Sequence, residues 1–464
     1  MKTINAVTDL NGVRYDLTES IGHGGQGTVY AVKGGRLAVK ILASGSQARR
    51  DRLRNQLMHV RRLPLRDLSL AKPLEMLRPP HTGYVMELLN DMATIKSLMS
   101  PNKGQAPSVE WYLGVGGLRR RLFLLGRAAH VLSKLHGKGL VYSDPSPTNI
   151  FVSKNLKYHE VWFIDTDNLK YESTPSGNVF TPGYAAPELV SGASGVTTLT
   201  DAFAFSVIAF QVLTLAHPFI GDMVNEGEPE LEEQAFSGLL PWIDDSQDTR
   251  NSATFGVPRT WVLSPRLIET FSQAFGAGRN EPSTRPGVSE WADRLFRAAD
   301  ATIRCSDCSE MFFFNQSTCP WCNRNRPDFV MAVFYLWDPS LEPRGGILTK
   351  PKGEGIRPVI VDQIAISENQ TFVITRRHAF GNSKEPIVEP VVSVTWTSDR
   401  IKIRSLDGNV YLLIAPTRSE KTEIGDYEKT TKINEREISW RLHFGGSDTL
   451  HRVMSFELRR GRGL

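Results

Sequence analysis

Three features predict an α+β fold over roughly the first two thirds of this 464-residue chain, then a small cysteine module and a β-rich end. Strand-like alternation over 13–42 gives way to helical spacing. All four cysteines fall between Cys305 and Cys322. Runs rich in Val, Ile, Thr and Trp, punctuated by Gly, Asn, Asp and Pro, dominate beyond 327. The expected boundaries are 10–300, 301–326 and 327–464.

In the first region, 13–42 reads as strands around a glycine turn, and 47–63 as a helix with Leu53, Leu57, Val60 and Leu63 on one face. Strands are expected near 70–78 and 83–89, and largely helical chain over 108–138. Residues 200–216 are almost uniformly apolar, which predicts a helix buried all round. An acidic insertion with Gly and Pro follows at 222–250, and helices resume near 264–276 and 288–299. Beyond the cysteines, strands are expected at 330–337, 358–366, 371–376, 391–396, 401–405, 410–414 and 436–443, as a sandwich or barrel. There is no internal repeat.

Hydrophobic residues make up 40% and charged residues 23%, ordinary values for a soluble globular protein. A net charge of +5 is too mild to argue for nucleic acid, and Arg459-Arg460-Gly461-Arg462 reads as a solvated tail. No run approaches the roughly 18–20 apolar residues of a membrane helix. Residues 1–9 carry no apolar core of signal-peptide type. The expectation is a cytoplasmic protein with neither a membrane nor a nucleic-acid partner.

The chemistry-bearing motifs lie in the first region. Gly22-x-Gly24-x-x-Gly27 sits between strands and is followed by Val29, Ala38 and Lys40. Glycines let backbone amides approach phosphate oxygens, and a lysine on the next strand places a charge on them. The run Tyr142-Ser143-Asp144 to Asn149 sets an Asp and an Asn five residues apart on one tight loop. There a carboxylate can meet a substrate hydroxyl while an amide oxygen holds a metal. Phe163-Ile164-Asp165-Thr166-Asp167 and Ala186-Pro187-Glu188 follow.

In order and spacing these motifs resemble the signature set of eukaryotic-like (Hanks-type) Ser/Thr protein kinases, of a divergent bacterial type, over about residues 10–298. The resemblance implies a bilobal fold, with a small lobe over about 10–90 and a large lobe over 91–300. It implies ATP and Mg2+ as cofactors and a protein as substrate. Gly22, Gly24, Gly27, Val29, Ala38 and Lys40 would line the nucleotide site, with Met86 as gatekeeper and backbone groups of Glu87 and Leu89 on adenine. Asn149 and Asp165 would ligate magnesium, with Asp144 as the base or hydroxyl-orienting carboxylate. Glu188 should pair with Arg285, Asp201 should accept from the catalytic-loop backbone, and Thr181 should contact Asp144, which favours Ser/Thr over Tyr.

Four departures from the family pattern stand out. The helix that normally gives the lysine its glutamate contains none; Gln56 takes that place, where its amide can hydrogen-bond Lys40. A neutral partner is roughly half as strong as a charged one. Tyr142-Ser143 replaces His-Arg, so no arginine precedes Asp144 to receive an activation-loop phosphate. Ser146 stands where such kinases place a Lys, and Asp165-Thr166-Asp167 replaces Asp-Phe-Gly. The implied activity is ATP- and magnesium-dependent phosphorylation of Ser/Thr, with the chain itself among the candidate substrates. The alternative is a nucleotide-binding pseudokinase scaffold that recruits partners through its cysteine and β modules. A third reading transfers AMP.

Cys305-x2-Cys308-x10-Cys319-x2-Cys322 offers four thiolates in two knuckles, the spacing of a closed structural Zn2+ ribbon. Phe312, Phe313, Phe314 and Trp321 are expected to cover it. In the β-rich region, Thr375-Arg376-Arg377-His378 resembles the Ser-Arg-x-His of phosphothreonine-reading forkhead-associated domains, and Leu406-Asp407-Gly408-Asn409 a later loop. The early Gly-Arg of that family is missing, so a sandwich used for contact with a protein partner is the preferred reading.

Overall fold

The computed structural model describes residues 4–24, 27–43, 45–101, 107–173, 180–344, 346–352, 355–382, 386–414, 421–432, 440–446 and 448–461. The chain divides into two compact units, Met1–Phe296 and Arg297–Leu464.

The first unit opens with an antiparallel sheet of β1 (Ala6–Thr8), β2 (Arg14–Gly24), β3 (Gly27–Val32), β4 (Leu37–Leu42), β5 (Glu75–Met76) and β6 (Gly83–Glu87), in the order β1-β2-β3-β4-β6-β5. Helix α1 (Gln47–Arg62) follows β4, capped by Ser46, whose Oγ accepts from the Arg49 amide. Its predicted Leu57 and Val60 are buried, and Leu57, with part-buried Leu53, packs against Leu42, Met76 and Tyr84 of this sheet. β1 is an added edge strand, paired Ala6 to Asp16. Gly27 must be glycine because β4 runs so close: a Cβ there would meet the Ile41 carbonyl oxygen at 2.3 Å.

The rest of the unit is helical. The region 108–138 resolves into α2 (Val109–Gly114) and α3 (Gly117–His136), broken at Gly116, whose φ of 107° suits only glycine. Helix Thr198–Thr214 is buried all round, as its composition predicts. Phe203, Phe205 and Phe210 pack edge-on to Phe275, Trp291 and Phe271 respectively. The acidic stretch carries two short helices, Asp222–Asn225 and Pro229–Phe236.

In the second unit, a six-stranded sheet and a four-stranded sheet enclose a core of Val330, Phe334, Ile364, Ile374, Val392, Trp396 and Ile403. Strand Phe329–Trp337 explains its own sequence. Val330, Ala332 and Phe334 face that core, while Phe329, Met331, Val333 and Tyr335 face Ile303, Phe312, Cys305 and Cys319. Side chains alternate along a strand, so burial on both faces demands an unbroken apolar run. The cysteine module therefore shares its core with the sheet, and the expected boundary between 301–326 and 327–464 does not separate two cores. Central strand His451–Arg459 was not expected, nor was the short helix Arg376–Phe380. Of the segment expected at 436–443, residues 436–439 lie outside the described residues, and Arg441–His443 forms a strand.

Candidate active site

A cavity of about 480 Å³ in the first unit collects most of the residues read from the motifs. Gly22, Gly27, Val29, Ala38, Lys40, Met86, Glu87, Leu89, Asn149 and Asp165 all line it. Gly24 ends β2, pairing with Gly27, whereas Gly25 and Gln26 of the glycine turn lie outside the described residues. Ile21, Ala71 and Phe151 also line it and were not assigned to the site from the sequence, beside His23, Tyr84, Leu88, Thr148 and Ile164. The first three are apolar or small residues that no motif marks.

Asp144 and Asn149 are fixed by backbone geometry. The amides of Tyr142 and Ser143 donate to Asp201 Oδ2 and Oδ1 at 2.7 and 3.0 Å, the anchoring expected of Asp201. Ser143 sits at φ 81°, and the Tyr142 hydroxyl donates to the Ile164 carbonyl. Asn149 Nδ2 donates to the Asp144 carbonyl at 3.2 Å, so Oδ1 is the atom of this side chain that could meet a cation. Asp165 adopts a left-handed conformation, φ 57° and ψ 51°, an unusual state for a non-glycine residue that clusters at functional sites. An amide oxygen and a carboxylate on one cavity wall form a donor set suited to a hard cation such as magnesium.

Asp144 Oδ1 accepts from the Thr181 amide and from Thr181 Oγ1, both at 2.8 Å, so Thr181 makes the expected contact. Burial, aided by the charges of Asp165 and Asp201, holds the Asp144 carboxyl above the ordinary range despite the Thr181 bonds. Ser146 is fully buried and its Oγ lies 3.1 Å from Thr148 Oγ1. Glu188 and Arg285 form the expected pair, bidentate at 2.6 and 2.8 Å.

Lys40 is where the sequence reading needs correction. Gln56 does not hydrogen-bond it. Nζ donates instead to Asp165 Oδ1 at 2.6 Å and Asp167 Oδ2 at 2.7 Å. Gln56 Nε2 donates to the Asp167 carbonyl at 2.7 Å and Asn168 Oδ1 at 3.2 Å. Burial opposes the charge on Lys40, but Asp167 and Asp165 outweigh it and hold the amine above its usual pKa. Burial lifts the Asp167 carboxyl above its usual range against the pull of Lys40.

In the second unit the four cysteine sulfurs lie within 4.8 Å of one another. Ser309 donates its amide to the Cys305 carbonyl and Asn323 to the Cys319 carbonyl, both residues in the left-handed region, so the two knuckles fold alike. Trp321, Phe312 and Phe314 pack in the surrounding cluster, as expected of covering aromatics, and Phe313 is buried on the same strand. The forkhead-like residues are differently placed. His378 is buried, accepts from the Thr375 amide at Nδ1 and lies 3.1 Å from Asp300, beside an Arg377–Asp300 bridge of 2.6 Å. Arg376 pairs with Glu389.

A family model described as a protein kinase domain matches residues 15–252, just over half of the chain. Among curated proteins, the serine/threonine-protein kinase pkn2 of Myxococcus xanthus is 25% identical over 247 residues, 49% of this chain and 27% of that protein. Serine/threonine-protein kinase PknB of Mycolicibacterium smegmatis is 26% identical over 231 residues, 45% of this chain and 34% of its own. The match thus spans about a third or less of these relatives' length. Gly22, Gly24, Gly27, Lys40, Asp144, Asn149 and Asp165 all fall within the matched segment, and the chain belongs to the protein kinase family.

Proposed function

We propose that this chain is an ATP- and magnesium-dependent Ser/Thr protein kinase that transfers the γ-phosphoryl group to protein hydroxyls. The observation that carries the reading is the convergence of Lys40, Asn149 and Asp165 on one cavity, with Asp144 tied to Asn149 through its carbonyl. Asn149 and Asp165 would hold magnesium, which neutralises phosphate charge when bound. Lys40 orients the phosphates, and Asp144 orients the substrate hydroxyl and takes its proton as the oxygen joins the γ-phosphorus and the bond to the β-phosphate breaks. Glu87 and Leu89 also line the cavity and would offer backbone groups for adenine. The Thr181–Asp144 contact supports Ser/Thr as acceptors. These intact groups argue against a pseudokinase scaffold.

The cysteine cluster fits one structural zinc ion: four sulfurs would fill a tetrahedral shell, with no coordination position left for substrate. Among the described residues no helix is long and apolar enough to cross a membrane. The β-rich sandwich is assigned to protein contact.

Incubating the protein with magnesium and ATP labelled at the γ or the α position tests the reading. Label should pass to protein only from the γ position and vanish with Lys40→Ala. Transfer from the α position would mark an AMP transferase, and no transfer a scaffold.

A further inference from the structure

We propose that Asp167 is the positioning residue for Lys40 and takes over the task of the glutamate that α1 lacks. The inference rests on the kinase reading above. The only acidic residue of α1, Asp51, is engaged by Gln47 on the exposed face. Of the two carboxylates on Lys40, Asp165 lines the cavity and is 24% exposed, whereas Asp167 is 7% exposed and lies behind it. A cation drawn to Asp165 would compete with Lys40 for that carboxylate. Asp167, shielded from the cavity, keeps its grip on the amine.

The backbone around Asp167 is fixed for this purpose. Gln56 grips the Asp167 carbonyl, Thr166 Oγ1 donates to the Ala71 carbonyl at 3.2 Å, and Ser143 Oγ donates to the Asn168 carbonyl at 3.0 Å. A glutamine suits α1 here because it can donate to a carbonyl, which a carboxylate cannot. Helix α1 therefore contributes no charge to the site. It clamps the three-residue segment that carries both the metal ligand and the lysine anchor. One event, the docking of Asp165-Thr166-Asp167, orders both.

Two measurements test this. In nucleotide-free protein, melting temperatures of Lys40→Met, Asp167→Asn and the double variant form a cycle. The double variant should lose clearly less than the sum of the singles, and additive losses overturn the proposal. This arm stands even if the protein transfers no phosphate, which would sink the kinase reading instead. In the transfer assay, Asp167→Asn should lower kcat/KM by roughly 10- to 100-fold, the range for one hydrogen bond to a charged group. Gln56→Glu should also lower it, because it sets oxygen against the Asp167 carbonyl. Should Asp167→Asn fail to fold, Gln56→Glu still decides. A gain in kcat/KM from Gln56→Glu, or full activity in Asp167→Asn, overturns the assignment.

Discussion

Acid should loosen the segment beside Asp144, and His217 sets the window. Its Nε2 lies 2.9 Å from the Gly183 carbonyl, and its Nδ1 accepts from the Phe219 amide at 3.2 Å. Those two bonds fix a neutral ring, protonated on Nε2 only. Tyr184, Phe219 and Phe236 pack around it. Burial pulls its pKa from 6.5 to about 4, against the opposing pull of the Gly183 bond. The folded pKa is depressed, so the stability this site contributes is whole above pH 6.5 and is lost as pH falls towards 4. That depression corresponds to about 3 kcal/mol, of which about 2 kcal/mol is gone by pH 5. The assay is chemical denaturation of wild type and His217→Gln between pH 7.5 and 4.5. Glutamine keeps a donor for Gly183 without titrating, so its curve should fall less steeply by about 2 kcal/mol at pH 5. Parallel pH profiles for the two proteins would refute the reasoning.

Two further outcomes follow from the packing. Arg285→Met strips the partner from part-buried Glu188 and should destabilise the first unit by about 3–5 kcal/mol in denaturant titration. Elemental analysis should find about one zinc per chain, from the four-ligand count. Chelation should uncover the Phe329–Tyr335 face that the cysteine module covers, seen as binding of a hydrophobic dye, while nucleotide binding persists. A chain free of metal as purified, with all four thiols titrating at once, would refute the zinc assignment.

Much of the site was legible because kinase chemistry fixes residue types at short spacings: Asp144 with Asn149, Asp165 after an apolar strand, Lys40 after a glycine turn. The helix Thr198–Thr214 was legible for another reason, since only a helix buried on every side tolerates so apolar a run. What escaped depends on contacts distant in sequence. Lys40 and Asp167 lie 127 residues apart, and nothing local distinguishes Asp167 from a solvated loop residue. Gln56 was read from the helix spacing, but its bonding partner follows from where the Asp165–Asn168 segment docks. Strand His451–Arg459 mixes charged ends with an apolar middle, which hid a strand that pairs with both Phe329–Trp337 and Arg441–His443.

The central claim, that this site performs phosphoryl transfer, is tested most directly by the steady-state kinetics of Asp144→Asn. A carboxylate that orients the attacking hydroxyl acts mainly in the transition state. The substitution should lower kcat by about 10²–10⁴-fold while KM for ATP stays near the wild-type value. Unchanged kcat, or a loss confined to KM for ATP, would contradict the account.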